Sequence, residues 1–268
     1  MSNYFYFIKM QRLQENYLQL IWTLAKTDFK LRYHGSFLGY IWAVLKPLLM
    51  FLILNFVFSS VFNPKNTGTE YYSIQLIVSI ILFNFFGEGT MAGLGSLIQK
   101  SALVTKIYVP RWTIIVASTL NSLMVFLMNI FVVIIFFIWY GFLPSGLAIL
   151  NFILFIVLTY LIILGFAFIA APLFVKFRDL SQIWEVLVSA LFYASPIVYP
   201  LSILSDEYRK IILFNPMAYI IHFNKTALVE GRFAPAGDLA IFVVIVVLFF
   251  ASSLLVYKKM EAKIAENI

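Results

Sequence analysis

Five basic side chains crowd residues 26–47, KTDFKLRYHGSFLGYIWAVLKP, ahead of an almost wholly apolar run: Lys26, Lys30, Arg32, His34 and Lys46. Cations in this setting do one kind of chemistry, the holding of anions. Arg32 is the strongest of the set, because a planar guanidinium engages two oxygens of one oxyanion and stays charged at any working pH. The same residues also meet a simpler demand. Each basic residue near a membrane surface adds on the order of 1 kcal/mol of attraction to anionic lipid, so anchoring alone also accounts for the cluster. Lys46 separates the two readings. Counted from Phe37 at about 1.5 Å per residue it lies roughly 14 Å along a helix, deeper than an anchor requires, unless the helix enters the membrane later and the long side chain snorkels back.

Other chemical signals are weaker. GEGTMAGLG, residues 87–95, is rich in glycine but lacks the Lys-Ser/Thr ending of a phosphate loop. Gly89 and Gly93 are spaced instead for close helix packing. His34 and His222 stand far apart with no carboxylate or thiol at ligand spacing, so no metal site is expected. Glu88 and Glu185 fall inside apolar runs, where an ionisable group is expensive and often functional, although Glu185 sits close enough to a helix start to reach water. Neither a catalytic carboxylate pair nor a nucleophile motif stands out, which argues against an enzyme.

The elements that must position these residues are membrane helices. The chain is 63% hydrophobic and 12% charged, with 29 Phe and 15 Tyr in 268 residues, more apolar surface than one water-soluble core hides. Runs of about 20 apolar residues between charge clusters predict an all-α membrane protein with six spans, near 37–62, 71–98, 112–140, 146–174, 182–198 and 237–257. The absence of cysteine excludes disulfides and thiolate sites. NYFYFIKM at the start is too short and too aromatic for a signal peptide.

Basic residues set the expected orientation. Lys9, Arg12, Lys26, Lys30, Arg32, Lys100, Lys106, Arg111, Lys176, Arg178, Lys258, Lys259 and Lys263 fall on one side, against Lys65, Arg209, Lys210, Lys225 and Arg232 on the other. By the positive-inside rule both termini are cytoplasmic, and the net charge of +7 reflects topology and anionic lipid rather than nucleic acid. Residues 1–36 form a cytoplasmic segment in which Leu13, Tyr17, Leu20, Ile21, Leu24 and Leu31 recur at helical spacing, an amphipathic interface helix. Residues 37–257 make the transmembrane domain and 258–268 a cytoplasmic tail. Within the domain, 99–111 carries an apolar side (Leu103, Ile107) and a charged one (Lys100, Lys106), which suits either a short helix shown to a partner or a tight solvated turn. Asp179 and Gln182 are spaced as an N-cap and its reciprocal partner. Residues 196–235, broken by Pro196, Pro200 and Asn215-Pro216, predict short re-entrant or interfacial helices on the outer side, packed against protein.

The succession DFKLRYHGSFLGYIWAVLKPLL, LVTKIYVPRW, KFRDL, SPIVYP and FNPMAYII, in order over essentially the whole chain, resembles the membrane subunits of ABC exporters for lipid-linked polysaccharides, the O-antigen, capsule and teichoic-acid permeases. The resemblance implies six spans, an N-terminal interface helix and outer re-entrant helices. It implies a homodimer working with two copies of a separate ABC ATPase, which would hold the ATP and Mg, leaving no cofactor in this chain. It places ATPase coupling on Lys100, Leu103, Lys106 and Ile107. It also implies a bacterial or archaeal cell membrane and a cargo whose phosphate or pyrophosphate would meet Lys30, Arg32, His34 and Lys46. Sugar rings stack on aromatic faces. Phe37, Tyr40, Trp184 and Phe192 are therefore expected in a glycan channel or lateral gate. A related exporter of another cargo, such as a drug or lipid, shares the scaffold. A secondary transporter fits less well, since no repeat between halves is visible.

Overall fold

The computed structural model describes residues 17–34, 38–59, 71–106 and 109–267, and every described element is a helix. In chain order these are α1 (Tyr17–Tyr33), α2 (Ile41–Phe58), α3 (Tyr72–Gln99), α4 (Ser101–Lys106), α5 (Arg111–Trp139), α6 (Gly146–Lys176), α7 (Leu180–Ala194), α8 (Asp206–Leu213), α9 (Pro216–Glu230) and α10 (Ala236–Asn267), with a 3-10 turn at Leu201–Ile203.

Among the described residues five helices are long and apolar enough to cross a membrane: α2, α3, α5, α6 and α10. In the place of the expected fifth span, 182–198, stands the 15-residue α7. At 1.5 Å per residue it covers about 22 Å, short of a hydrocarbon core of roughly 30 Å. It ends at Ala194 because Pro196 has no N–H to give to the turn before it. The capping expected at its start is also absent. Asp179 stands at the N-cap position, but its side chain accepts no capping hydrogen bond and its backbone is helical. Of the expected tail, 258–268, residues 258–267 are helical and continue α10, which Arg111 ties to α5 by donating to the Glu261 carbonyl at 2.8 Å.

The centre is α3, buried on nearly every side by α2, α5, α6, α7 and α9. Small residues make this possible. A Cβ on Gly89 would meet Ile163 Cδ1 at 2.8 Å; one on Gly93 would overlap Ala167 Cβ and approach Thr119 Cγ2 at 3.1 Å. The spacing of two glycines four apart thus does what the sequence suggested, bringing α3 against α6. On the far side of α6 lies α10.

Helix α1 does not stand apart. Ile21 and Ala25 are buried against Ala117 of α5, with Trp112, Val116 and Leu120 around them, and Tyr17 meets Trp112 edge to face at 5.6 Å. Leu18, Trp22 and Leu31 remain exposed on its other side. The amphipathic pattern is therefore split between a protein-facing and an open apolar strip.

At the opposite end, residues 195–204 are largely non-helical, and unpaired backbone carbonyls at membrane depth are costly. Side chains supply the donors. Lys225 Nζ donates to the carbonyls of Pro196 and Tyr199, Tyr72 to that of Val198 at 2.8 Å, and Arg209 to those of Leu201 and Ser202, each at 2.8 Å. Asn215 caps α9 by accepting from Met217 N–H, with Pro216 in the first helical position where its missing N–H is harmless. Lys225 lies in α9, outside the five long helices, and burial draws its ammonium down to about 7 while Glu230 pulls the other way. Within 196–235, α9 is packed against protein, whereas α8 has no buried residue.

Candidate functional site

A cleft of about 760 Å³ lies between the end of α1 and helices α2, α3 and α7. Arg32, Lys46, Asn84, Glu88, Ser189 and Phe192 are among its lining residues. Glu88 holds the cations together. Arg32 Nη2 stands 2.8 Å from Glu88 Oε2, and Lys46 Nζ 3.9 Å from Oε1. Each carboxylate oxygen faces a cation from a different helix. The Arg32 and Glu88 side chains keep 37% and 24% of their exposure and Lys46 74%, so the pair is reachable from the cleft.

Local chemistry sets these positions. Glu88 lies 11 residues before Gln99, roughly 16 Å along α3 from the end at which Lys100 and Arg111 gather. Arg32 reaches it because α1, anchored on α5 through Ile21 and Ala25, ends beside α3. Lys46 is fixed by its neighbour. Pro47 cannot donate to the Ala43 carbonyl one turn back, and Asn129 Nδ2 of α5 does so instead at 3.2 Å. Because α2 begins at Ile41, Lys46 lies roughly 8 Å along it, not the 14 Å counted from Phe37. Its depth therefore no longer separates anchoring from recognition; its meeting with Glu88 does.

The structure brings together Arg32, Lys46 and Phe192 from the expected set and adds Glu88. Phe192 is wedged edge-on between Phe83 at 5.3 Å and Tyr193 at 5.4 Å. Other expectations land elsewhere. Lys30 and His34 are exposed and do not line the cleft. Tyr40 stacks on Phe29 at 5.3 Å. Trp184 stacks on Phe166 at 4.0 Å and donates to Thr90 Oγ1 at 3.0 Å, which makes it a pin between α7, α6 and α3 rather than part of the cleft wall. Lys100 pairs with Asp28 of α1 and donates to Ser118 of α5 at 3.1 Å, so it braces α1 from within. Leu103 sits in α4, which also contains Lys106, of which only the backbone is described; Phe37 and Ile107 lie outside the described residues. Among the described residues no group of acidic, His or Cys side chains could hold a metal.

Sequence comparison places this arrangement. The family model "ABC-2 type transporter" matches residues 19–223. The O-antigen export system permease protein RfbA of Klebsiella pneumoniae is 28% identical over 214 residues, 80% of this chain and 82% of that one. RfbA of Myxococcus xanthus is 27% identical over 265 residues, 97% and 100% of the two chains. The polysialic acid transport protein KpsM of Escherichia coli is 24% identical over 208 residues, 76% and 79% of the two. The family match takes in α2 through α8, the cleft with its three charged residues, and most of α9, so the chain belongs to the ABC-2 type transporter family of membrane proteins.

Proposed function

We propose that this chain is the permease subunit of an ATP-driven exporter that moves a lipid-linked polysaccharide from the cytoplasmic leaflet outward. The names of the O-antigen and polysialic acid relatives support the cargo class, and the family supports a separate ABC ATPase as the engine. The observation that carries the reading is the cleft where Arg32 and Lys46 converge on Glu88 beside Phe192. Its two cations suit the phosphates between glycan and lipid, and its aromatic wall suits a sugar face.

The remaining parts follow from this reading. Two permeases pair across α2 and α7, whose exposed Leu49, Ile53, Phe56, Ile183, Val186 and Tyr193 leave the cleft open on that side. A passage wide enough for sugar is then closed by symmetry. The sixth crossing consists of α7 continued by the 195–204 strap. Helix α4, with Lys100 and Leu103 at its start, docks on the ATPase, and the Lys100–Asp28 pair passes its movement to α1. Both termini face the cytoplasm.

Two measurements test this. In proteoliposomes holding the permease and its ATPase, Arg32→Ala combined with Lys46→Ala should raise the glycolipid concentration needed for half-maximal ATPase stimulation about tenfold or more, the complex still assembling. Unchanged stimulation curves would remove the cleft from substrate handling. For orientation, a single cysteine at Ser205 should label with an impermeant thiol reagent in intact cells and one at Ser101 should not; the reverse would invert the topology.

A further inference from the structure

Glu88 is the sole acid among the described residues that line the cleft, and it faces both of the cleft's cations. That geometry is what a bound headgroup phosphate would adopt: one anion whose oxygens are shared between a guanidinium and an ammonium. A carboxylate about 16 Å along a membrane helix is tolerated because it is paired, and it would be costly to strand. Behind it, however, lies a small cavity of about 20 Å³, lined among others by Asn84, Ser122 and Asn129. Ser122 Oγ and Asn129 Oδ1 are buried there without a protein hydrogen-bond partner among the described residues. Space of this size suits one water, and the Ser122 hydroxyl has a proton to give to a carboxylate.

We infer that Glu88 is a tethered counter-ion that makes the cleft selective for a diphosphate headgroup over the monoanionic phosphodiesters of the surrounding bilayer. The inference rests on Arg32 and Lys46 forming the headgroup site. Bulk phospholipid is the main competitor there, because it is abundant and presents the same phosphate chemistry. A single negative charge that displaces Glu88 toward Ser122 and the polar cavity merely exchanges one anion for another, with no second ion pair to offset the one the carboxylate loses. Tethering also gives Glu88 an effective concentration that a loose monoanion must match. A diphosphate diester brings two charges, one for each cation, and releases Glu88 toward Ser122 and the polar cavity. The repulsive element is thus built into the site itself, and it discriminates by charge count rather than by shape.

The test uses the complete transporter, permease with ATPase, in nanodiscs of phosphatidylcholine with or without phosphatidylglycerol, and as the probe an N-acetylglucosaminyl farnesyl diphosphate, a diphosphate diester with two charges. Wild-type affinity should shift less than about twofold when phosphatidylglycerol is added, whereas Glu88→Gln should bind the probe about tenfold tighter in phosphatidylcholine and lose that gain in phosphatidylglycerol. Glu88→Asp, one methylene shorter and still charged, should fall between the two, and it decides the question if the Gln variant does not assemble. Equal affinities and equal indifference to phosphatidylglycerol in the Glu88 variants, with Arg32→Ala still weakening the probe, would overturn the counter-ion and leave the headgroup site standing. Probe binding unchanged in Arg32→Ala as well would overturn both.

Discussion

Gly93→Leu should abolish accumulation of folded permease, while Gly146→Ala leaves it unchanged. At Gly93 a first carbon already overlaps Ala167 Cβ, and Ala167 Cα is 3.4 Å away. Neither belongs to the movable end of a long side chain, so relief requires α3 and α6 to part along their whole contact. Overpacking costs about 1–3 kcal/mol even when a core can adjust, and here the displaced element is the central helix. Gly93→Ala gives the graded version: greater helix propensity, worth up to about 1 kcal/mol, works against the clash and does not overcome it. Ala167→Gly should rescue Gly93→Ala, because it removes the atom being struck. Gly146 has nothing within 4 Å of an added Cβ and follows the Ser145 cap, so alanine fits there. Detergent-resistant monomer yield and thermal midpoint read all four variants, and a fully folded Gly93→Leu permease would show that α3 and α6 are not in fixed contact.

That contact was legible in the sequence because it depends on local spacing: glycines four apart on one helix share a face wherever that helix is placed. The same holds for Asn215-Pro216, whose cap and first-turn roles are properties of neighbouring residues. What spacing could not supply was partnership across distance. Glu88 was recognisable as an expensive intramembrane acid, but its cation stands 56 positions earlier, on a helix whose amphipathic pattern suited a surface anchor equally well. Lys100 shows the converse. Its place within the 99–111 segment suited a short helix shown to a partner or a solvated turn, whereas the structure turns it inward to Asp28. The aromatic nominations divided for a similar reason. Phe192 and Trp184 share α7, and which one reaches a cleft depends on neighbours such as Phe166 and Thr90 that only the folded arrangement brings close. The shortness of α7 was encoded by Pro196, yet apolar composition continues past it through Ile197 and Val198, and composition alone ran the span to 198.

Arg32→Glu should lower export at least tenfold, since it sets two carboxylates where an ion pair stood 2.8 Å apart in a partly dehydrated cleft. Like charges at that distance drive the end of α1 away from α3, and one of the cleft's two cations is lost in the same step. The reciprocal change, Arg32→Glu with Glu88→Arg, separates those effects. It restores opposite charges between α1 and α3, so α1 docking, read as protection of residues 21–29 from hydrogen exchange, should return toward the wild-type level. Export should not return. The cation would now be rooted on α3, Lys46 would face a guanidinium in place of its carboxylate, and the acid would sit at the end of α1. Pair energy depends on opposite charge at short range and is nearly symmetric to exchange, whereas recognition of an incoming anion depends on which backbone carries the cation. Recovery of both docking and export in the swapped variant would reduce Arg32–Glu88 to a structural strut; recovery of docking alone fixes the positive charge at position 32 as the functional element.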